Sequence, residues 1–168
     1  SNAQASARIF NGARIAIGLG QFSVTQSLSR AASMTFPGEF IPQQGFDPAE
    51  DHIGPFYYIP KTVEHWRGLY AFKVEPRHCN TMESVHGGVL MTFADFALCM
   101  AATDHYQGES CVTVSFACEF LRGASLGDVI MTEPVVNRKT RSLAFVSGTC
   151  LVDDEACFTY SSVVKRLT

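Results

Sequence analysis

The run HGGVLMTFADFALCMAA, residues 86 to 102, carries one charged side chain, Asp95, among residues that are otherwise apolar or small. Burying an ionised carboxylate costs several kcal/mol unless it is paired, hydrogen-bonded or protonated. No Lys or Arg stands within four residues of it. On a helix the less greasy positions Gly88, Thr92, Asp95 and Cys99, spaced by four, three and four, form one stripe with Asp95 in its middle. An acid placed so suits a general base or a nucleophile. It equally suits a structural role in which backbone or hydroxyl donors satisfy it.

His86-Gly87-Gly88 opens the same helix, where the first backbone N–H groups have no intrahelical partner and glycine lets a ligand oxygen come close. With the positive end of the helix dipole this is the chemistry of an oxyanion site, although a glycine pair also serves as a plain helix start. Gly88 and Asp95 are seven residues apart, about 10 Å along a helix. A reaction centre using both ends therefore takes the acid from one subunit and the helix N-terminus from another. A helix apolar nearly all round also needs burial nearly all round, by its own sheet and by a second subunit. Dimerisation is expected on both grounds.

The elements around the helix read as strands from His52 onward. GPFYYI (54 to 59) and GLYAFKVE (68 to 75) precede it. SCVTVSFACEF (110 to 120) follows, with Val112, Val114, Phe116, Cys118 and Phe120 alternating against Thr113, Ser115, Ala117 and Glu119. Next comes VIMTEPVV (129 to 136), where Pro134 predicts an edge position or a bulge. LAFVSGTCLV (143 to 152) and ACFTYSSVVKRL (156 to 167) are joined by short polar turns, so the late strands form an antiparallel meander. One long helix with five or six strands makes an α+β domain, a curved antiparallel sheet around a central helix.

Length and composition set the outer bounds. The 168 residues suit a single domain. Residues 47 to 168 form it, while residues 1 to 46 are a tag remnant (Ser1-Asn2-Ala3) and an N-terminal extension or linker that includes Ile41-Pro42. From Gln4 to Gly38 the chain lacks acids and carries Arg8, Arg14 and Arg30, as organelle transit peptides do, but Gly12, Gly18 and Gly20 weaken a continuous amphipathic helix. A net charge of -3 offers no basic field for nucleic acid. No window approaches a membrane span. The six cysteines show no C-x-x-C spacing, which favours a reducing compartment: the cytoplasm, or an organelle matrix if the N-terminal stretch is a transit peptide. His78-Cys79 with His86 matches no standard zinc spacing, so no metal is expected.

The segment from Asn80 through His86-Gly87-Gly88 to Asp95 resembles the active-site segment of the PaaI-like hotdog-fold acyl-CoA thioesterases. The resemblance extends through Thr113-Val-Ser-Phe and the Leu126-Gly127-Asp128 turn, over residues 52 to 167. It implies the hotdog fold, a homodimer with a continuous sheet, in some cases paired into tetramers, and hydrolysis of acyl-CoA without a cofactor. Carried over by position, Asp95 is the general base or nucleophile and Gly87 offers its N–H to the thioester oxygen. Asn80 orients the carbonyl or the water, and Thr113 holds the water near Asp95. His86 bonds within the site or shapes the helix start, and Gly88 lies beside the substrate. Glu83 stands where the family commonly has glycine, which puts bulk and charge near the site entrance.

Coenzyme A is anionic, so Arg138, Lys139 and Arg141 are candidates for its phosphates, with Arg122 a weaker one; a solvated hairpin tip explains the cluster equally well. Phe56, Tyr57 and Tyr58 suit an acyl pocket or, more commonly, a core. A non-catalytic acyl-CoA-binding module is the alternative function, and a hotdog dehydratase a more distant one.

Overall fold

The computed structural model describes residues 40 to 167. The expectations for the tag remnant and for residues 4 to 39 lie outside the described residues. Eight strands form one antiparallel sheet: β1 (Ile41–Gln43), β2 (Phe56–Ile59), β3 (Leu69–Lys73), β4 (Ser110–Phe120), β5 (Val129–Thr132), β6 (Val135–Lys139), β7 (Leu143–Val152) and β8 (Glu155–Leu167). Their order is β1-β2-β3-β5-β7-β8-β4, with β6 beside β7. The long helix α2 (Gly87–Thr103) packs on this sheet, and Leu90, Phe93, Ala94, Phe96, Ala97 and Leu98 are buried along it. Phe56, Phe72, Phe93 and Phe96 form the centre of the core, with ring centroids 5.2 to 5.7 Å apart for four of their pairs. This is the expected α+β hotdog arrangement, and it makes Phe56 a core residue, 1% exposed, not an acyl-pocket wall.

Four local features depart from the sequence expectations. Ile41-Pro42 is not linker: β1 pairs with β2, Ile41 opposite Tyr58, because its backbone completes the edge of the sheet. A short helix, α1 (Pro48–Ile53), follows, capped by Asp47, whose Oδ1 accepts from the N–H groups of Ala49 at 2.8 Å and Glu50 at 3.2 Å. Pro134 divides VIMTEPVV into β5 and the edge strand β6, which pairs with β7 alone; Thr132 faces Cys150 and Val135 faces Ser147, so no shift falls at Pro134 itself, and the shift in β6 comes between Val136 and Arg138. A residue without an N–H interrupts pairing there without shifting it.

The fourth matters most for chemistry. β4 pairs with β8, and its register shifts between Thr113 and Ser115, leaving Val114 as a bulge. An extra residue reverses the faces of a strand. Phe116 and Cys118 therefore turn inward as expected, while Val112 and Val114 are 48% and 60% exposed and Thr113 points toward α2.

Candidate active site

Asp95 lies half-buried at the middle of α2, and the Thr113 hydroxyl donates to its Oδ1 at 2.6 Å. The bulge at Val114 is what brings that hydroxyl to the helix. Burial pushes the Asp95 carboxyl above its usual range, the bond from Thr113 works in the other direction, and the nearby Asp47 carboxylate adds to the rise. Cys99, one turn on, has its sulfur 3.7 Å from Thr113 Oγ1. Its bond to Cys111 and its burial raise the thiol's pKa, so it stays neutral and is no competing nucleophile. The stripe read from the sequence is the open face of the helix, where Gly88 is exposed and Thr92 and Asp95 are half-buried, closing at Cys99.

At the helix start, His86 is the cap: its Nδ1 accepts the Gly88 N–H at 3.0 Å. The Val89 and Leu90 N–H groups bond the His86 carbonyl. The Gly88 amide is thus bonded inside the chain, while the residue itself stays exposed. The Gly87 N–H has no acceptor among the described residues. Glycine at 87 also has a steric cause: a Cβ there would come within 2.9 Å of Phe120 Cε1.

Asn80 closes the preceding loop. Its Oδ1 accepts from the Met82 and Ser84 N–H groups at 2.9 and 3.3 Å, which leaves the Nδ2 amide to point elsewhere. Glu83 occupies this turn at φ 57, the left-handed region in which glycine costs nothing. Glu83 thus takes a backbone shape that glycine would take without cost, and it adds an exposed carboxylate. His78 anchors the loop from below, accepting the Glu75 N–H at Nδ1 and bonding the Ile53 carbonyl through Nε2, each at 2.8 Å. Both its nitrogens are engaged, and no group of metal-binding side chains forms among the described residues.

The basic cluster separates. Lys139 is tied to Glu109 at 2.9 Å, and Arg166 shares that carboxylate at 2.6 Å, so Lys139 is corrected as a free phosphate ligand. Arg138 lies within β6, not in a turn, and both it and Arg141 are exposed. Through Glu109, which follows the C-terminal end of α2, this cluster sits at the opposite end of the helix from Gly87 within one chain. Arg122 bonds the Val152 carbonyl at 2.9 Å.

The sequence reading missed the acidic helix α1. Glu50 is pushed up to about 7, first by burial, then by the charges of Asp47, Asp95, Asp51 and Cys111. Asp47-Pro48-Ala49-Glu50, a cap followed by proline at the first helical position, was the available signal for α1.

Residues 82 to 157 match the model of the thioesterase superfamily. The chain is 30% identical over 116 residues to the Pseudomonas aeruginosa protein named "Putative esterase PA0474", covering 68% of this chain and 85% of that one. It is 26% identical over 125 residues to mouse acyl-coenzyme A thioesterase 13, covering 74% and 82%. In structure it is similar to a variant of the phenylacetic acid degradation protein PaaI of Thermus thermophilus, with a TM-score of 0.62 at 20% identity over 72% of this chain and 100% of that one. The chain belongs to the thioesterase superfamily, with the hotdog fold of its PaaI-like members.

Proposed function

We propose that the protein hydrolyses acyl-CoA thioesters to the free acid and CoA. The observation that carries this is the Asp95 carboxylate, held by Thr113 at 2.6 Å in a helix that from Phe93 onward is buried at every position but that one. Asp95 takes a proton from water, the water oxygen attacks the thioester carbonyl, and the C–S bond breaks to release the CoA thiolate, which is then protonated. In the covalent variant Asp95 itself attacks and water opens the resulting anhydride. Gly87 of the partner subunit donates its N–H to the carbonyl oxygen, and the Asn80 amide orients the carbonyl or the water. Exposed Arg138 and Arg141 are available to the phosphates of CoA.

Two features support a site shared between subunits. Eight residues of helix, about 12 Å, separate Gly87 from Asp95 in one chain. β4 ends the sheet, with Val112 and Val114 exposed on it, as an edge that continues into a second copy requires.

Thiol release measured across short, medium, aromatic and hydroxylated acyl-CoAs tests the proposal. The expected result is turnover by the parent that falls by at least about 100-fold in Asp95→Ala. If no thioester is cleaved faster by the parent than by that variant, the protein binds acyl-CoA without turning it over. Oxygen-18 in Asp95 after one turnover assigns the covalent route.

A further inference from the structure

Phe120 is the last residue of β4 and stands opposite Phe158 of β8, the two ring centroids 5.0 Å apart. Phe158 is fully buried, so it backs the Phe120 ring and fixes where it lies. Phe120 itself is 55% exposed, so part of its apolar surface is open beside the start of α2. Its edge fills the space that a side chain at Gly87 would take: a Cβ there would be 2.9 Å from Cε1 and 3.0 Å from Cζ. The ring therefore lies in van der Waals contact with the backbone whose N–H is open at the start of α2.

The surroundings continue the same surface. The Val85 N–H and the Ser84 hydroxyl both bond the Ala124 carbonyl, at 2.8 and 3.2 Å, which holds the loop after β4 against the loop before α2. Met82 and Leu121 on those two loops are 80% and 53% exposed. An apolar wall thus rises beside a lone backbone donor.

We infer that Phe120 is a specificity-determining residue, the wall that limits bulk on the carbon next to the thioester carbonyl. The inference rests on the reading that the Gly87 N–H receives the thioester oxygen. An oxygen about 2.9 Å from that nitrogen brings the carbonyl carbon close to the Phe120 ring, and the apolar surroundings of that ring suit the acyl substituent and not the phosphate-bearing CoA arm. Straight acyl chains and flat arylacetyl groups pass along the ring face, whereas a branch at the adjacent carbon meets it.

The test compares butyryl-CoA with 2-methylpropanoyl-CoA in the parent, Phe120→Ala and Phe120→Leu, with thermal unfolding recorded for each. A wall of one ring predicts that Phe120→Ala raises the branched-to-straight ratio of kcat/KM by about tenfold or more, with Phe120→Leu in between. A ratio unchanged within about twofold in folded variants overturns the assignment. Should the parent cleave neither thioester, the hydrolytic reading is decided by the wider panel of acyl groups and not by this pair. The wall is then read by calorimetry from the affinities of the two analogues in which a methylene replaces the thioester sulfur. The same change in their ratio upholds it, and an unchanged ratio overturns it.

Discussion

At the start of α2 the open group is a backbone N–H beside an aromatic ring; at its middle it is a carboxylate beside other carboxylates. The first is fixed by sterics: His86 consumes the Gly88 amide and Phe120 leaves room at 87 only for glycine. The second is fixed by titratable neighbours: Thr113 donates to Asp95, and Asp47 and Glu50 of α1 lie within electrostatic reach. A donor made of backbone keeps its properties at any pH. A base made of a half-buried acid does not, so the two halves of the site should fail in different ways.

The largest effect belongs to the acid. Asp95→Asn keeps the shape and one acceptor for Thr113 but removes the base, and kcat should fall by about 10² to 10⁴. Mixing it with an inactive Asn80→Ala variant, under conditions of confirmed subunit exchange, should restore part of the activity through hybrid dimers. No recovery would place both groups in one subunit's site. Gly87→Ala comes next, and its signature is steric. The new methyl group collides with Phe120, so stability should drop by about 1 to 2 kcal/mol, and the double variant with Phe120→Ala should recover most of that loss. Simple additivity of the two changes in denaturant unfolding would contradict the contact.

The acid half responds to pH instead. Activity that needs ionised Asp95 is lost as pH falls through its raised pKa. Asp47→Asn retains an N-cap for α1 while deleting a charge that raises Asp95, so the acid limb of the pH–rate profile should move to lower pH. Thr113→Val removes the bond that lowers the pKa, so its limb should move to higher pH. Glu50 behaves differently: the Asp95 charge is one of the causes that raise it to about 7, whereas Glu50 is not among the groups that raise Asp95. Glu50→Gln should therefore leave the acid limb where it is. Its effect is on stability. A carboxyl whose folded pKa is raised contributes stability that is complete below the unfolded value and lost as pH rises through the folded one. The Tm advantage of Glu50→Gln should grow between about pH 4.5 and 7 and then level off.

These two halves were unequally legible. The helix, its stripe and most strands follow from apolar periodicity, which is local. Asp95 stood out because a lone acid in an apolar helix demands a partner, but that partner's route, a bulge at Val114 reversing the face of β4, arises from pairing with β8 about fifty residues later and leaves no trace in an alternating pattern. The same limit hid the capture of Lys139 by Glu109, 30 residues earlier in the chain. Gly87 and Gly88 look equivalent in sequence; only the fold shows that one amide is capped and the other is not. Helix α1 was missed for a different reason, since six residues are too few to show a period.

The smallest expected effect is at the loop that precedes α2. Glu83 sits at φ 57, where a side chain costs about 1 to 2 kcal/mol relative to the right-handed region. Glu83→Gly removes that strain but adds about 0.5 to 1 kcal/mol of chain entropy to the unfolded state. The net gain in stability should be at most about 1.5 kcal/mol, or a few degrees in Tm. The loop's geometry depends on Asn80 Oδ1 holding the Met82 and Ser84 amides and not on the Glu83 carboxylate, so kcat on straight-chain acyl-CoA should change little. Glu83→Ala keeps the strain while deleting the charge, so it separates the two contributions. If Glu83→Ala and Glu83→Gly change KM for CoA esters alike while only the glycine raises Tm, the carboxylate acts on the anionic substrate and the backbone acts on the fold.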